Sequence, residues 1–181
     1  MTYRIAGIVG SLSTTSINRQ LLHGIVPLAR DAGMSITECP LAEVPLFSPG
    51  AEAAPPAAVT ALKAAIEASD GLIIVTPEYN RSIPGVLKNA LDWASRPYGH
   101  NSLAGKPTAI IGTSRGTVAT ALAQRHLRDV LGFLDVRLLN QPEACIRFHD
   151  GLIGSNGEIA DAGVAAHLKT WLDAFGRLLE L

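Results

Sequence analysis

Short β-rich runs alternating with longer stretches of helical period leave this chain few architectures. The clearest run, residues 71–76, reads Gly-Leu-Ile-Ile-Val-Thr. Continuous apolar character of that kind belongs to a strand covered on both faces, as in the centre of a parallel sheet. Residues 4–9, 35–39 and 108–112 read as further strands, with β-branched Ile5, Ile8 and Val9 in the first. A fifth is expected at 136–139, together with 144–147. Between the strands, residues 17 to about 29 place Leu21, Leu22, Ile25 and Val26 on one helical face. Pro55-Pro56 opens a second helix carrying Val59, Leu62 and Ile66, and Pro84-Gly85 opens a third that runs to Ser95. A fourth is expected near 118–131, and Asp161 caps a last one with Val164, Leu168, Trp171, Phe175 and Leu178 at helical spacing. Five strand–helix units in strict order predict a doubly wound α/β sandwich. Its five-stranded parallel sheet has the order 2-1-3-4-5 and helices on both faces.

Length and composition agree. A chain of 181 residues is ample for one domain and short for two, so residues 1–181 read as a single domain. The Pro-rich segment at 40–56 reads as a loop after the second strand. Hydrophobic residues make up 48% and charged residues 17%, which excludes a disordered chain. The formal net charge is -1, with none of the one-sided positive field that nucleic acid or an anionic membrane surface requires. No apolar run approaches the ~20 residues of a membrane-spanning helix. The run after Arg4 reads as a strand rather than a secretory signal, which gives a cytoplasmic expectation. Cys39 and Cys145 and the five histidines show no metal-ligand spacing, and none is assigned a role.

In sheets of this order, ligands bind at the carboxyl ends of the strands, where the strand order reverses between strands one and three. The loops after Val9, Thr76 and Gly112 therefore carry the functional expectation. The first, Gly10-Ser11-Leu12-Ser13-Thr14-Thr15-Ser16-Ile17-Asn18, offers five hydroxyls and an amide at a helix N-terminus. Free backbone N–H groups and the helix dipole would complete a site for a phosphate dianion without a lysine. Neither GxxxxGK[ST] nor GxGxxG is present. A well-capped helix start is the alternative reading of the same residues. The second loop, Thr76 to Gly85, is bounded by Pro77 and Pro84. There Tyr79 can wall a flat ring, and the main chain of Glu78, Tyr79 and Asn80 can meet its polar edge, unless the segment is only a rigid turn. The third, Thr113-Ser114-Arg115-Gly116-Thr117, is small enough to lie against such a ring. Arg115 can stabilise developing negative charge, bind a nucleotide phosphate, or face solvent.

Three motifs together resemble the NADPH-dependent FMN reductase family, which includes bacterial quinone, chromate and azo-dye reductases. They are Gly10-Ser11-Leu12 with Ser16-x-Asn18, the long run Pro77-Glu78-Tyr79-Asn80-x-Ser82-x-Pro84-Gly85-x-Leu87-Lys88-Asn89-Ala90-Leu91-Asp92-Trp93, and Ala123-Gln124-x-x-Leu127-Arg128-x-Val130-Leu131. The resemblance implies a flavodoxin-like fold, FMN as cofactor, and NADPH or NADH as co-substrate. It implies that Ser11, Ser13, Ser16, Ile17 and Asn18 hold the FMN phosphate. Pro77, Glu78, Tyr79, Asn80 and Ser82 would border the isoalloxazine, and Ser114 with Gly116 would close its other side, Arg115 between them departing from the small residue usual there. It also implies a homodimer or homotetramer, with the helix bearing Leu91 and Trp93 at the interface. One departure stands out: many members carry arginine after Gly-Ser-Leu, where this chain has Ser13. That substitution opens the choice between NADPH and NADH.

The implied activity needs no catalytic side chain and no metal, because the flavin carries the chemistry. Hydride would pass from NAD(P)H to FMN, and two electrons would then pass to a quinone, azo compound, chromate or similar small acceptor in ping-pong order. Two alternatives share the fold: a flavodoxin-type electron carrier, and a flavin reductase that hands reduced FMN to a monooxygenase. Such carriers tend to be strongly acidic, unlike this chain. A flavin-free domain on the same scaffold is disfavoured by the intact 77–93 motif.

Overall fold

The computed structural model describes residues 2–181. Strands β1 (Tyr3–Val9), β2 (Met34–Cys39), β3 (Gly71–Val75) and β4 (Pro107–Ser114) lie parallel, with β1 between β2 and β3 and β4 beyond β3. Every residue of β3 is buried. Its side chains alternate between two separate cores, as the period of two demands. Leu72 and Ile74 join Ala6, Ile8 and Ile110 on one face, whereas Ile73 and Val75 join Ile5, Val9, Ala109 and Ile111 on the other. Burying each such aliphatic side chain contributes about 1.5–3 kcal/mol.

Helices α1 (Ile17–Asp31), α2 (Ala57–Ala68), α3 (Gly85–Ala94), α4 (Ala121–Phe133) and α5 (Ala162–Leu179) cover the sheet. The first face packs under α2, α3 and α4, and the second under α1 and α5. Ser16 caps α1, accepting from the Arg19 amide at 3.2 Å, and Asp161 caps α5, accepting from the Val164 amide at 2.9 Å. The backbone bond to Val164, rather than solvent or any buried partner, is the main cause that holds the Asp161 carboxyl below its ordinary range. The doubly wound order 2-1-3-4-5 is observed.

Two elements differ from expectation. The fifth strand is divided into β5 (Arg137–Leu138), paired with the start of β4, and β6 (Ala144–Arg147), paired with its end. Between them the chain leaves the ladder around Pro142, which has no N–H to give it. The fourth helix begins at Ala121 and not near Val118, because Ala119 takes a left-handed φ of 49° and residues 117–120 form turns. The Pro-rich loop holds a 3-10 turn at Pro49–Ala51 and is tied down by α3. The Pro45 carbonyl accepts from Asn89 Nδ2 at 2.9 Å and Trp93 Nε1 at 2.8 Å, and Phe47 meets Trp93 edge-on at 5.0 Å. Trp93 and Leu91 are thus buried inside the chain. Their side chains belong to the core of one chain, and the covering loop, invisible to helical periodicity, occupies the face of Trp93.

Gly112 on β4 lies where a Cβ would run into the Thr76 carbonyl oxygen and the Thr120 hydroxyl. Both obstacles belong to the loops that form the site described below. Gly112→Ala should therefore destabilise the protein by about 1–3 kcal/mol, read as a lower urea midpoint at unchanged slope. An unchanged midpoint would show that the strand end can shift freely.

Candidate functional site

The ends of three strands are level. Val9 pairs with Val75, and Val75 with Ile111, so the chain leaves β1, β3 and β4 side by side. Gly10 N donates to Val75 O at 2.9 Å and Thr76 N to Ile111 O at 2.9 Å, carrying the alignment one residue into the loops. A cleft of about 270 Å³ opens there. It is lined by Ser11, Ser13, Thr15, Ser16, Ile17 and Asn18 from the first loop and helix start, by Pro77, Glu78 and Tyr79 from the second, and by Thr113, Ser114 and Arg115 from the third. Asn80, Ser82 and Gly116, expected in the site, are not among the lining residues.

The first loop is a folded unit. Ser11 Oγ accepts from Ser13 N at 3.4 Å, Ser13 Oγ from Thr15 N at 3.2 Å, and Ser13 O from Ser16 N at 3.3 Å. A hydroxyl that accepts a backbone N–H keeps its own O–H to donate, which is what a phosphate oxygen needs. Asn18 has a different role from the one expected. Its side chain is buried and pairs in both directions with the backbone of Thr113, Nδ2 to O at 2.9 Å and Oδ1 from N at 2.9 Å. It fastens α1 to β4 and leaves only its amide for an anion.

The second loop turns at Asn80-Arg81, with positive φ of 51° and 68° and reciprocal 3.0 Å bonds between Tyr79 and Ser82. That is the backbone of a two-residue I′ hairpin. Two contacts pin it to α4. Glu78 Oε2 accepts from the amides of Leu122 and Ala123, both at 3.1 Å, supplying a carboxylate where the helix dipole favours one. Ser82 Oγ meets His126 Nδ1 at 2.7 Å. The side chains of Glu78 and Ser82 thus position the loop, while Tyr79 stays 53% exposed and offers an open aromatic face. In the third loop Ser114 Oγ accepts from Gly116 N at 3.1 Å. Arg115 stacks over Phe148 at 4.8 Å and reaches Asp150 at 3.3 Å, so its guanidinium has partners outside the cleft.

Thr15 and Thr113 lie in the expected loops without having been assigned to the ligand, and Arg19 escaped sequence reasoning. Thr113 is fully buried and lines the cleft, yet its hydroxyl has no hydrogen-bond partner. A buried hydroxyl without a protein partner in a residue of the cleft wall leaves a hydrogen bond for water or a polar ligand to complete. Together with the hydroxyl donors of the first loop and the open face of Tyr79, it suits a flat aromatic group ending in a phosphate monoester. Arg19 carried a signal: a base in the first turn of a helix opposes the dipole and asks for a partner. The cysteines lie apart, with burial first and the neighbouring Glu38 and Glu143 carboxylates next raising the thiols of Cys39 and Cys145. A larger concavity, about 760 Å³, lies between α3 and α4, away from the strand ends. Size does not decide here, because the convergent donors lie in the smaller cleft.

Fold and cleft together define a flavodoxin-like α/β protein with a hydroxyl-lined cleft at the switch point of its sheet. The chain belongs to the NADPH-dependent FMN reductase family, whose model matches residues 3–150. It is 47% identical over 175 residues to a 2-hydroxy-1,4-benzoquinone reductase from a Burkholderia species, covering 97% of this chain and 95% of that one. It is 43% identical over 162 residues to an NAD(P)H-dependent FMN reductase of Pseudomonas aeruginosa, covering 87% and 85%. Among solved structures, the flavoenzyme NAD(P)H:(acceptor) oxidoreductase of Paracoccus denitrificans superposes with a TM-score of 0.94 at 38% identity, covering 99% and 98%.

Glu78→Ala should leave the amides of Leu122 and Ala123 unpaired and release the second loop from α4. The expected loss is about 1–2 kcal/mol, as for a deleted helix cap, measured by urea denaturation. Wild-type stability in this variant would mean that the carboxylate does not hold the loop.

Proposed function

We propose that this protein is an FMN-dependent NAD(P)H oxidoreductase whose acceptors are quinones and related small electron acceptors. The observation that carries the reading is the convergence, at one cleft, of a hydroxyl-rich anion loop, an orphaned Thr113 hydroxyl and the exposed ring of Tyr79. The names of the relatives, a benzoquinone reductase and an FMN reductase, support it. In this reading the residues of the first loop hold the FMN phosphate, with Ser11, Ser13 and Ser16 donating from hydroxyls and Ile17 and Asn18 from amides. Pro77, Tyr79 and the main chain at Glu78 border the ring, and Ser114 and Arg115 lie across from them. FMN, when bound, supplies the two-electron hydride chemistry, and the chain's task is to place reactants on one open face. The Glu78 and Ser82 anchors keep the ring-bordering loop rigid, and the exposed side of Tyr79 leaves room for a donor and then an acceptor to occupy one place in turn. That shared place is the reason to expect ping-pong kinetics.

A second copy of the chain belongs over the cavity between α3 and α4. Tyr98 and Phe133 at its rim are 84% and 88% exposed, an unusual state for large aromatic side chains. His126 lines the same cavity and bonds Ser82, so a subunit seated there would abut the ring-bordering loop. No helix among the described residues is long and apolar enough to cross a membrane.

The test is a visible spectrum of the purified protein, followed by anaerobic addition of NADPH or NADH and then of 1,4-benzoquinone. Bleaching by a nicotinamide, recovery with quinone, and parallel double-reciprocal lines are expected, with the faster donor showing what Ser13 does to cofactor choice. A yellow protein that neither nucleotide bleaches would be an electron carrier, and a colourless one that takes up no FMN would overturn the reading. In sedimentation, the wild type should run as a dimer or tetramer and Phe133→Asp should shift toward monomer. A monomeric wild type would remove the subunit contact.

A further inference from the structure

We propose that Arg19 is a positioning residue for the phosphate site, a guanidinium clamp that fixes the first loop and holds its carbonyls away from the ligand. This rests on the FMN reading given above. Arg19 lies in the first turn of α1, where a positive charge opposes the helix dipole, and it has no acid in that turn to answer it. Its guanidinium instead reaches back over the loop. Nη1 donates to Ser13 O at 2.8 Å, Nη2 to Ser11 O at 3.0 Å, and Nε to Glu38 Oε1 at 2.8 Å. Three directions of the planar fork are thereby occupied, a geometry that lysine cannot reproduce.

The consequence follows from the planarity of the peptide bond. In a trans peptide, C=O and N–H point opposite ways. The Ser11 carbonyl shares its plane with the Leu12 amide, and the Ser13 carbonyl with the Thr14 amide. With both carbonyls drawn to Arg19, the amides of Leu12 and Thr14 face away from it. Neither amide donates to any acceptor among the described residues, whereas those of Ser13, Thr15 and Ser16 are all engaged within the loop. Arg19 thus takes up the two carbonyls that would repel an anion and fixes the backbone of Ser11 and Ser13, residues that line the cleft. Glu38 holds the clamp from β2, with His23 against its other oxygen at 3.1 Å. Because Glu38 also offsets the charge of Arg19, orientation of the loop rather than long-range attraction is what the arginine contributes.

A phosphate-orienting clamp must act on FMN and not on riboflavin, which has the same ring without the phosphate. The apoprotein and its Arg19→Met and Arg19→Lys variants would be titrated with each flavin, following the quenching of flavin fluorescence. The wild type should bind FMN more tightly than riboflavin. Arg19→Met should weaken FMN by about tenfold to a hundredfold, the range of one or two charge-assisted hydrogen bonds, with riboflavin changed by less than about threefold. Arg19→Lys should lie close to Arg19→Met, since it keeps the charge and loses the fork. Equal weakening of both flavins in a protein of lowered melting temperature would reduce Arg19 to general stability. A fully active Arg19→Lys would make the effect one of charge, and an unchanged FMN to riboflavin ratio in Arg19→Met would remove the clamp. Any of these overturns the proposal while leaving the FMN reading intact. A wild type that binds neither flavin would overturn both.

Discussion

Complete desolvation of β3 governs the rest of the molecule. A strand buried on both faces has no solvent to satisfy its backbone, so its N–H and C=O groups must be paired in register with β1 and β4. That register brings Val9, Val75 and Ile111 to the same height, and three loops then leave the sheet from adjacent points. A shift of one residue would exchange the two cores, setting Leu72 and Ile74 where Ile73 and Val75 belong. The site therefore inherits its geometry from the least negotiable part of the hydrophobic core. Gly112 shows how little slack is left, since even one methyl group there meets the backbone of the neighbouring loop.

Above the sheet, polar side chains do the positioning and the main chain and hydroxyls are left to meet a ligand. Asn18 joins α1 to β4, Glu78 joins the second loop to α4, and Ser82 adds a second contact to the same helix. Each of these residue types looks like a ligand-binding group when read from the sequence. Each is instead partly or wholly engaged in holding the frame, a division of labour that rigid sites require. Charge within the cleft is correspondingly sparse. Arg115 turns to Phe148 and Asp150, and Arg19 is matched by Glu38, so preorganised dipoles rather than a free cation favour an anion here.

The opposite side of the sheet follows the same economy. Trp93, the largest side chain of α3, is covered by the Pro-rich loop, whose Pro45 carbonyl accepts its indole N–H. Two exposed aromatic side chains lie farther along, Tyr98 and Phe133, next to a cavity reached from the site through His126 and Ser82. That single hydrogen bond joins the wall of the cavity to the loop at the edge of the cleft.

Local chemistry made much of this legible in the residues alone. The apolar run at 71–75, the periodicity of α1 and α5, and the caps Ser16 and Asp161 act over a few residues, and their structures follow from spacing. The parallel doubly wound sheet followed because right-handed crossovers admit few alternatives, and 2-1-3-4-5 is one of the two orders common among such sheets. The hydroxyl loop was readable for the same reason, as a composition at a helix start. Tertiary structure decided whatever depends on a distant partner. Asn18 finds Thr113 at a separation of 95 residues, and Glu78 finds Ala123 at 45. Arg19 finds two carbonyls behind it that only the folded loop presents, and Trp93 is buried only because a loop crosses it. A side chain's chemistry is written in the sequence, but what it bonds to is set by which backbone groups the sheet leaves within reach.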